Sequence, residues 1–338
     1  MDRAIGPARL TIDPEAQGVS RGALVVPYSH DGSAYGRIEV PVTIISGAPG
    51  PTLLLTGGVH GDEYEGPVAL LDLARTLRPE TLTGRVIIVP VANPLAFAAG
   101  RRTSPVDGGN LARLFPGDPA GGITGLIAEG IDRLLLPLAD CVLDLHAGGK
   151  TLDYMPATLA RIPEDRDLAV KVIAAMQAFG APLALAALKS ESRGTLVAAA
   201  LARGIPAFAT ELGGGGGLSA TTMAIARDGI ARMMAHLGLV AATLSDARPR
   251  LMLVPPEGYL RAPHAGVFEP LVGLGETVAE GDAAGRLWDF NRPDLPPVEL
   301  VMPSAGLVVC RRVPAMAVAG DVLFHLARDA SEPDMLPG

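Results

Sequence analysis

Lysine is nearly missing from this chain. Only Lys150, Lys171 and Lys189 occur, and arginine carries the remaining positive charge. The formal net charge is −8, with no Lys/Arg-rich block to offset it, which excludes nucleic acid as the main partner. Cys141 and Cys310 are the only cysteines, too few for a disulfide framework in 338 residues. Cys141 sits in the apolar run "CVLDL" and reads as a small buried hydrophobe. No run of roughly 18 apolar residues offers a membrane span. The N-terminus lacks the apolar segment of a signal peptide. A soluble cytoplasmic protein with no membrane partner is therefore expected. A Gly-rich phosphate loop of the G-x-G-x-x-G or P-loop kind is also missing, which argues against an ADP-binding or redox domain. Charge is scarce at 19%, against 49% apolar residues, so a large core is available and disorder is not expected. The length suits one large domain plus a smaller one.

What is present alternates. "RIEVPVTII" (37–45) sets Ile38, Val40, Val42 and Ile44 against polar or proline positions, the period of a half-buried strand. "TLLLTGG" (52–58), "RVIIVPVAN" (85–93), "CVLDLH" (141–146) and "IPAFATEL" (205–212) are short apolar runs suited to buried strands. Between them lie helical patterns at 66–77, 124–139, 166–179, 195–204 and 219–238. Thr124 and Ser219 are the expected caps of two of these. Strands alternating with helices predict an α/β fold, a mixed sheet flanked by helices, over residues 1–245 with an N-terminal β segment at 20–46.

Helical periodicity vanishes near 245–258. Beyond it "PHAGVFEPLVGLGETVAEGD" (263–282) resembles "PSAGLVVCRRVPAMAVAGD" (303–321), and both open P-x-A-G and close on G-D. The repeat looks like the hammerhead barrel of biotinyl and lipoyl carriers. Those carriers need an attachment lysine, and none follows Lys189. A small all-β, barrel-like domain at 250–330, serving as a lid or as the surface of a homo-oligomer, is the expectation.

Ligands of α/β sheets collect at the carboxyl ends of the strands. There "GGVHGDEYEG" (57–66) places His60 and Glu63 three apart, His146 ends "CVLDLH", and Glu211 lies at the end of "IPAFATEL". Two histidines and a carboxylate are the ligand complement of a catalytic zinc that keeps one position open. Glu211 is then a fourth group, free to take a proton from water. Asp144 either orients a ligand histidine from behind or is a plain polar strand residue. Asp62 and Glu65 are expected as acids at a helix N-terminus. His30, His236, His264 and His325 are assigned to surface or core. The long segment "NPLAFAAGRRTSPVDGGNLARLFPG" (93–117) carries Arg101, Arg102 and Arg113, groups that grip carboxylates or stabilise an oxyanion. Gly213–Gly217 lets backbone approach a ligand, lets a loop move, or is a tolerated slippage; the sequence leaves all three open.

Taken in order, "GGVHGDEYEG", "NPLAFAAGRRTS", "NLARLFPG", "DLHAGG" and "TELGGGG" resemble the succinylglutamate desuccinylase/aspartoacylase family, relatives of the zinc carboxypeptidases. The likeness covers roughly residues 20–330. "PYSHDGSAYGRIEVPVTII" and "LDLHAGGKTLDYMP" look closest to its branch of Nα-acetyl-diaminobutyrate deacetylases of ectoine breakdown. The resemblance implies one zinc ion per chain, held by His60, Glu63 and His146, with Glu211 as general base and acid. It also implies that Arg102 polarises the scissile carbonyl, and that Arg113, with Asn110 and Asn93, binds a small N-acyl amino acid. Two departures touch substrate choice: Ala112 stands where the family has asparagine, and Asn110 where many members have aspartate. A deacylase or carboxypeptidase for another N-acyl amino acid or small peptide, or a zinc-retaining sensor without turnover, stays open. If the substrate is a diaminobutyrate derivative, Asp153 or Glu191 is a candidate for its free amine, or a surface acid.

Overall fold

The structure, a computed structural model, describes residues 8–187, 193–241 and 248–337. Glu191 lies outside them. The described strands form one sheet of 15 strands and a second of four. Through the middle of the large sheet the order is Arg37–Ser46, Thr83–Val89, Ala48–Gly57, Cys141–His146, Ala207–Glu211, Ala157–Arg161, Leu183–Ala187 and Arg250–Leu253. Ala48–Gly57, Cys141–His146 and Ala207–Glu211 run parallel, whereas Ala157–Arg161 opposes Ala207–Glu211. The sheet is therefore mixed, as expected.

The chain leaves Ala48–Gly57 through the helix Glu65–Thr76 to pair on one side, and later returns through Cys141–His146 on the other. Strand order thus reverses at the carboxyl ends of Ala48–Gly57 and Cys141–His146, the crevice where open α/β sheets bind ligands. The uniformly apolar runs follow from burial on both faces. Leu53, Leu55, Leu143 and Leu145 face a core shared with the helices Glu65–Thr76, Arg166–Phe179 and Ala220–His236. Leu54 and Val142 face the opposite core, which includes Ile127 and Ile131 of the helix Ile123–Leu134.

Ser219 caps its helix as expected, its Oγ accepting from Thr222 N at 3.0 Å. Thr124 does not cap. The helix starts at Ile123, and Asp107 from the preceding long loop accepts from Thr124 N at 2.8 Å. A partner distant in sequence satisfied the first turn, which no local pattern announces.

The 263–321 repeat has a structural meaning. Gly266 of the first copy pairs with Ala317 of the second, and Gly306 of the second with Val278 of the first. Each copy closes on the same turn, with Asp282 accepting from Ala279 N at 2.7 Å and Asp321 from Val318 N at 2.9 Å. The two layers enclose a core that includes Phe268, Leu287, Val308 and Phe324. One layer is continuous with the large sheet: Val322–Asp329 pairs with Arg250–Leu253, and Leu152–Tyr154 pairs with Gly306–Arg312. This stitching carries C-terminal side chains to the carboxyl ends of the central strands. No helix among the described residues is long and apolar enough to cross a membrane.

Candidate metal centre

His60 and Glu63 lie on the tight turn after Ala48–Gly57, held down by backbone. Gly61 N donates to Arg101 O at 2.9 Å, and a Cβ at Gly61 would lie 2.0 Å from the Ala96 carbonyl. The turn therefore requires glycine there. His146 is the last residue of its strand and pairs across with Glu211, so both side chains leave at the same level. Donor atoms of His60, Glu63 and His146 all lie within 4.8 Å of one another, the one such group found among the described residues.

Each Nδ1 faces Glu63: His60 Nδ1 is 2.7 Å from Oε1 and His146 Nδ1 is 2.9 Å from Oε2. Each Nε2 faces another oxygen, Asn110 Oδ1 at 3.2 Å for His60 and Asp144 Oδ2 at 2.9 Å for His146. A neutral imidazole has one N–H. If Nε2–H donates backward, Nδ1 presents a lone pair to a carboxylate, and two acceptors would meet. A cation among the three groups removes that conflict. Protonating both rings is the alternative, and burial holds His60 below its ordinary value. Burial also opposes a charge on His146, but the Asp144 and Glu63 carboxylates outweigh it and raise that pKa. The same two imidazoles hold Glu63 well below the usual carboxylate range despite its burial. The cluster is thus able to bind a metal ion, with its back nitrogens already oriented.

Period 2 explains Asp144. It sits two residues before His146 on the same strand face, opposite Thr56, whose Oγ1 donates to Asp144 Oδ1 at 2.6 Å. Both its oxygens are committed, which settles its open assignment: it fixes His146 from behind. Glu211 is half-buried, with its Oε2 sealed from solvent and left without a hydrogen-bond partner among the described residues. Burial, then the nearby Glu63 charge, push its pKa up to about 8.

Arg102 reaches the cluster, with Nη1 3.4 Å from His60 Nδ1 and 3.7 Å from Glu63 Oε1. A cavity of about 280 Å³ opens beside it, lined by His60, Arg102, Ala112, Arg113, His146 and Glu211 among others. Asn93 and Asn110, expected on the substrate, are not among its described lining residues. Asn93 is wholly buried and caps the helix Pro94–Ala98, its Oδ1 accepting from Ala96 N at 3.2 Å. Asn110 caps the turn Leu111–Arg113, and its Oδ1 also meets His60 Nε2. Asp62 lies just ahead of the helix Glu65–Thr76 and accepts from Lys150 N at 2.9 Å. Glu65 does open its helix, buried, its pKa raised to about 7 by that burial. Asp153 pairs with Arg311 at 3.5 Å rather than lining the cavity. Within Gly213–Gly217 the close approach is to backbone: Gly148 N donates to Gly213 O at 2.9 Å and Gly216 N to Gly149 O at 2.7 Å.

Several cavity residues escaped the sequence, His325 among them. His325, expected at surface or in a core, lines this cavity from the C-terminal strand Val322–Asp329 beside Tyr154 and Tyr259. Burial pushes its pKa down to about 4. The unfolded chain therefore binds the proton first, near pH 6.5. Its contribution to stability is full above that pH and is lost as pH falls towards about 4. Replacing His325 with phenylalanine should flatten the loss of stability between pH 6.5 and 4 by about 3 kcal/mol, read from denaturant melts across that range. An unchanged slope would mean the ring is already solvated.

Residues 49–237 match the succinylglutamate desuccinylase/aspartoacylase catalytic domain. The chain belongs to that family. It is 42% identical over 324 residues, 95% of each chain, to an N-alpha-acetyl-L-2,4-diaminobutyric acid deacetylase of Halomonas elongata. Among solved structures it matches the product-bound ectoine utilization protein EutE (DoeB) from Ruegeria pomeroyi with a TM-score of 0.92 and 42% identity, covering 96% of this chain and all (100%) of that one. A succinylglutamate desuccinylase from a Silicibacter species matches equally in fold, TM-score 0.92, at 43% identity, covering 97% of this chain and 100% of that one.

Proposed function

We propose that this chain is a zinc-dependent amidohydrolase that deacetylates Nα-acetyl-2,4-diaminobutyrate, yielding acetate and diaminobutyrate. The observation that carries the chemistry is the buried, unpartnered Glu211 carboxylate oxygen beside the His60, Glu63 and His146 donor set. The Halomonas relative's substrate supports the choice of amide. Zinc suits two imidazoles and one carboxylate, and when bound it acidifies water and polarises a carbonyl.

The chain's own residues do the rest. Glu211 takes a proton from the attacking water and returns it to the leaving nitrogen as the amide C–N bond breaks. Burial raises its affinity for that proton, and a cation held by the three donor residues would lower it again and free the carboxylate to accept. Arg102, close enough to the cluster to reach the acyl oxygen, stabilises the developing oxyanion. Arg113 grips the substrate carboxylate. Ala112 adds no hydrogen bond there, so this grip rests on the guanidinium more heavily than in an asparagine-bearing relative. Asp144 and Asn110 orient the two imidazoles. The division into a hydrolase unit at 1–245 and a β module at 250–330 belongs to the same reading, with the module closing one end of the cavity.

Amine release by zinc-loaded protein, from Nα-acetyl-diaminobutyrate alongside N-acetyl-aspartate and N-succinyl-glutamate, is the direct test. Turnover of the first well above the other two is expected. No turnover of any, with zinc bound in stoichiometric amount, would overturn the reading and favour a sensor. Replacing Asp144 with alanine should weaken zinc binding by about 10- to 100-fold, measured by competition with a chelator. Unchanged affinity would show that Asp144 does not set the orientation of His146.

A further inference from the structure

Of the cavity's described groups, His325 alone is a buried ionisable side chain with no task. It is 3% exposed, and both ring nitrogens are without a hydrogen-bond partner among the described residues. A buried imidazole normally spends both nitrogens on partners, because leaving a polar atom dry and unpaired is costly. Its orientation is nonetheless fixed. The ring stacks on Tyr259, with centroids 4.3 Å apart and planes 13° from parallel, and meets the Tyr154 ring edge-on at 6.3 Å. All three come from strands that the C-terminal module and the hydrolase part share by pairing: Tyr259 and Cys310 both pair with His325, and Tyr154 pairs with Cys310. A ring so firmly placed, with idle nitrogens in a cavity wall, is arranged for a ligand.

The charge distribution says which ligand group. Arg102, Arg113 and Arg161 line the cavity and suffice for a carboxylate and an oxyanion. For a cationic group the described lining residues offer little else. Asp144 is spent on Thr56 and His146, and Glu211 is needed for proton transfer. The Arg261 guanidinium already lies 5.5 Å from the Tyr259 ring centroid, and that ring stacks on His325, so what this end offers an ammonium is the imidazole lone pair of His325 with the Tyr154 ring beside it. Burial keeps that imidazole neutral, so it accepts rather than repels.

We infer that His325 is a specificity-determining residue: its ring accepts a hydrogen bond from the free side-chain amine of the amino-acid substrate, within a subsite formed with Tyr154 and Tyr259. The inference rests on the functional reading above and goes beyond it by naming what distinguishes a diamino acid from its uncharged analogues. It takes the place of Asp153, which pairs with Arg311.

The test compares Nα-acetyl-2,4-diaminobutyrate with N-acetyl-2-aminobutyrate, the same skeleton without the terminal amine. Wild-type protein should prefer the first. In His325→Phe, which keeps the stacking and removes both nitrogens, the ratio of the two kcat/KM values should fall about 10- to 150-fold. His325→Leu serves as a second variant with the same expectation, and zinc content with thermal melting confirms that each is folded and loaded. His325→Gln, which restores an acceptor, should recover part of the ratio. Calorimetry should show the same selective weakening for 2,4-diaminobutyrate against 2-aminobutyrate. A parallel fall for both substrates, leaving the ratio intact, would assign His325 a packing role and overturn the inference alone. Wild-type protein that hydrolyses both equally would overturn it too. Wild-type protein that hydrolyses N-acetyl-2-aminobutyrate but not the diamino substrate would overturn the functional reading along with it.

Discussion

Glu211→Gln should lower kcat by about 10²- to 10⁴-fold while zinc remains bound and the melting temperature holds or rises. The substitution is isosteric and leaves the three donor residues untouched. It also removes a carboxylate whose burial is costly, since one oxygen of the native Glu211 is sealed from solvent and without a partner among the described residues. Stability and activity should therefore move in opposite directions, which a merely structural glutamate would not do. KM should change little, because the carboxylate acts on the proton rather than on the bound substrate. Metal analysis, steady-state kinetics and a thermal melt on one preparation are sufficient. Retained turnover would remove Glu211 from the chemistry and leave Arg102 as the group to re-examine. A loss of zinc along with activity would instead recast Glu211 as part of the metal's support.

Much of this site was written in local sequence. Strand periodicity put His60, Glu63, His146 and Glu211 at strand ends, and parallel strands bring such ends together, so the cluster follows from pattern and topology. Asp144 was half legible: strand residues two apart share a face, which put it beside His146 without deciding between an orienting and a plain strand role. The contacts that were not legible were those set across the fold. Asn110 was expected on the substrate, and no local pattern announced that its Oδ1 also meets the far nitrogen of His60. Thr124 looked like a cap, and Asp107 took that role from across a loop. His325 had no local signal at all. A histidine in an alternating apolar strand looks like core, and only its pairing with Tyr259 and Cys310 carries it to the cavity wall. The C-terminal repeat was visible as sequence, yet its strand exchange, with each copy's long strand meeting the other's short one, required the structure.

Gly61→Ala should cost the fold about 3 kcal/mol or more and weaken zinc binding along with it. A Cβ at this position would lie 2.0 Å from the Ala96 carbonyl and 2.3 Å from Phe97 N, all of them backbone atoms that cannot swing aside. Relief requires the turn to lift from the helix Pro94–Ala98, which breaks the hydrogen bond from Gly61 N to Arg101 O. His60 and Arg102 flank that bond on its two strands of chain, so lifting the turn separates the histidine from Glu63 and Arg102 together. Zinc affinity and oxyanion stabilisation should then fall as one. Gly217→Ala is the control. Nothing lies within 4 Å of a Cβ there, so the expected change is within about 0.5 kcal/mol. Equal effects at the two glycines, in denaturant melts and chelator competition, would show that the turn has room to spare and that its glycine is a convenience rather than a requirement.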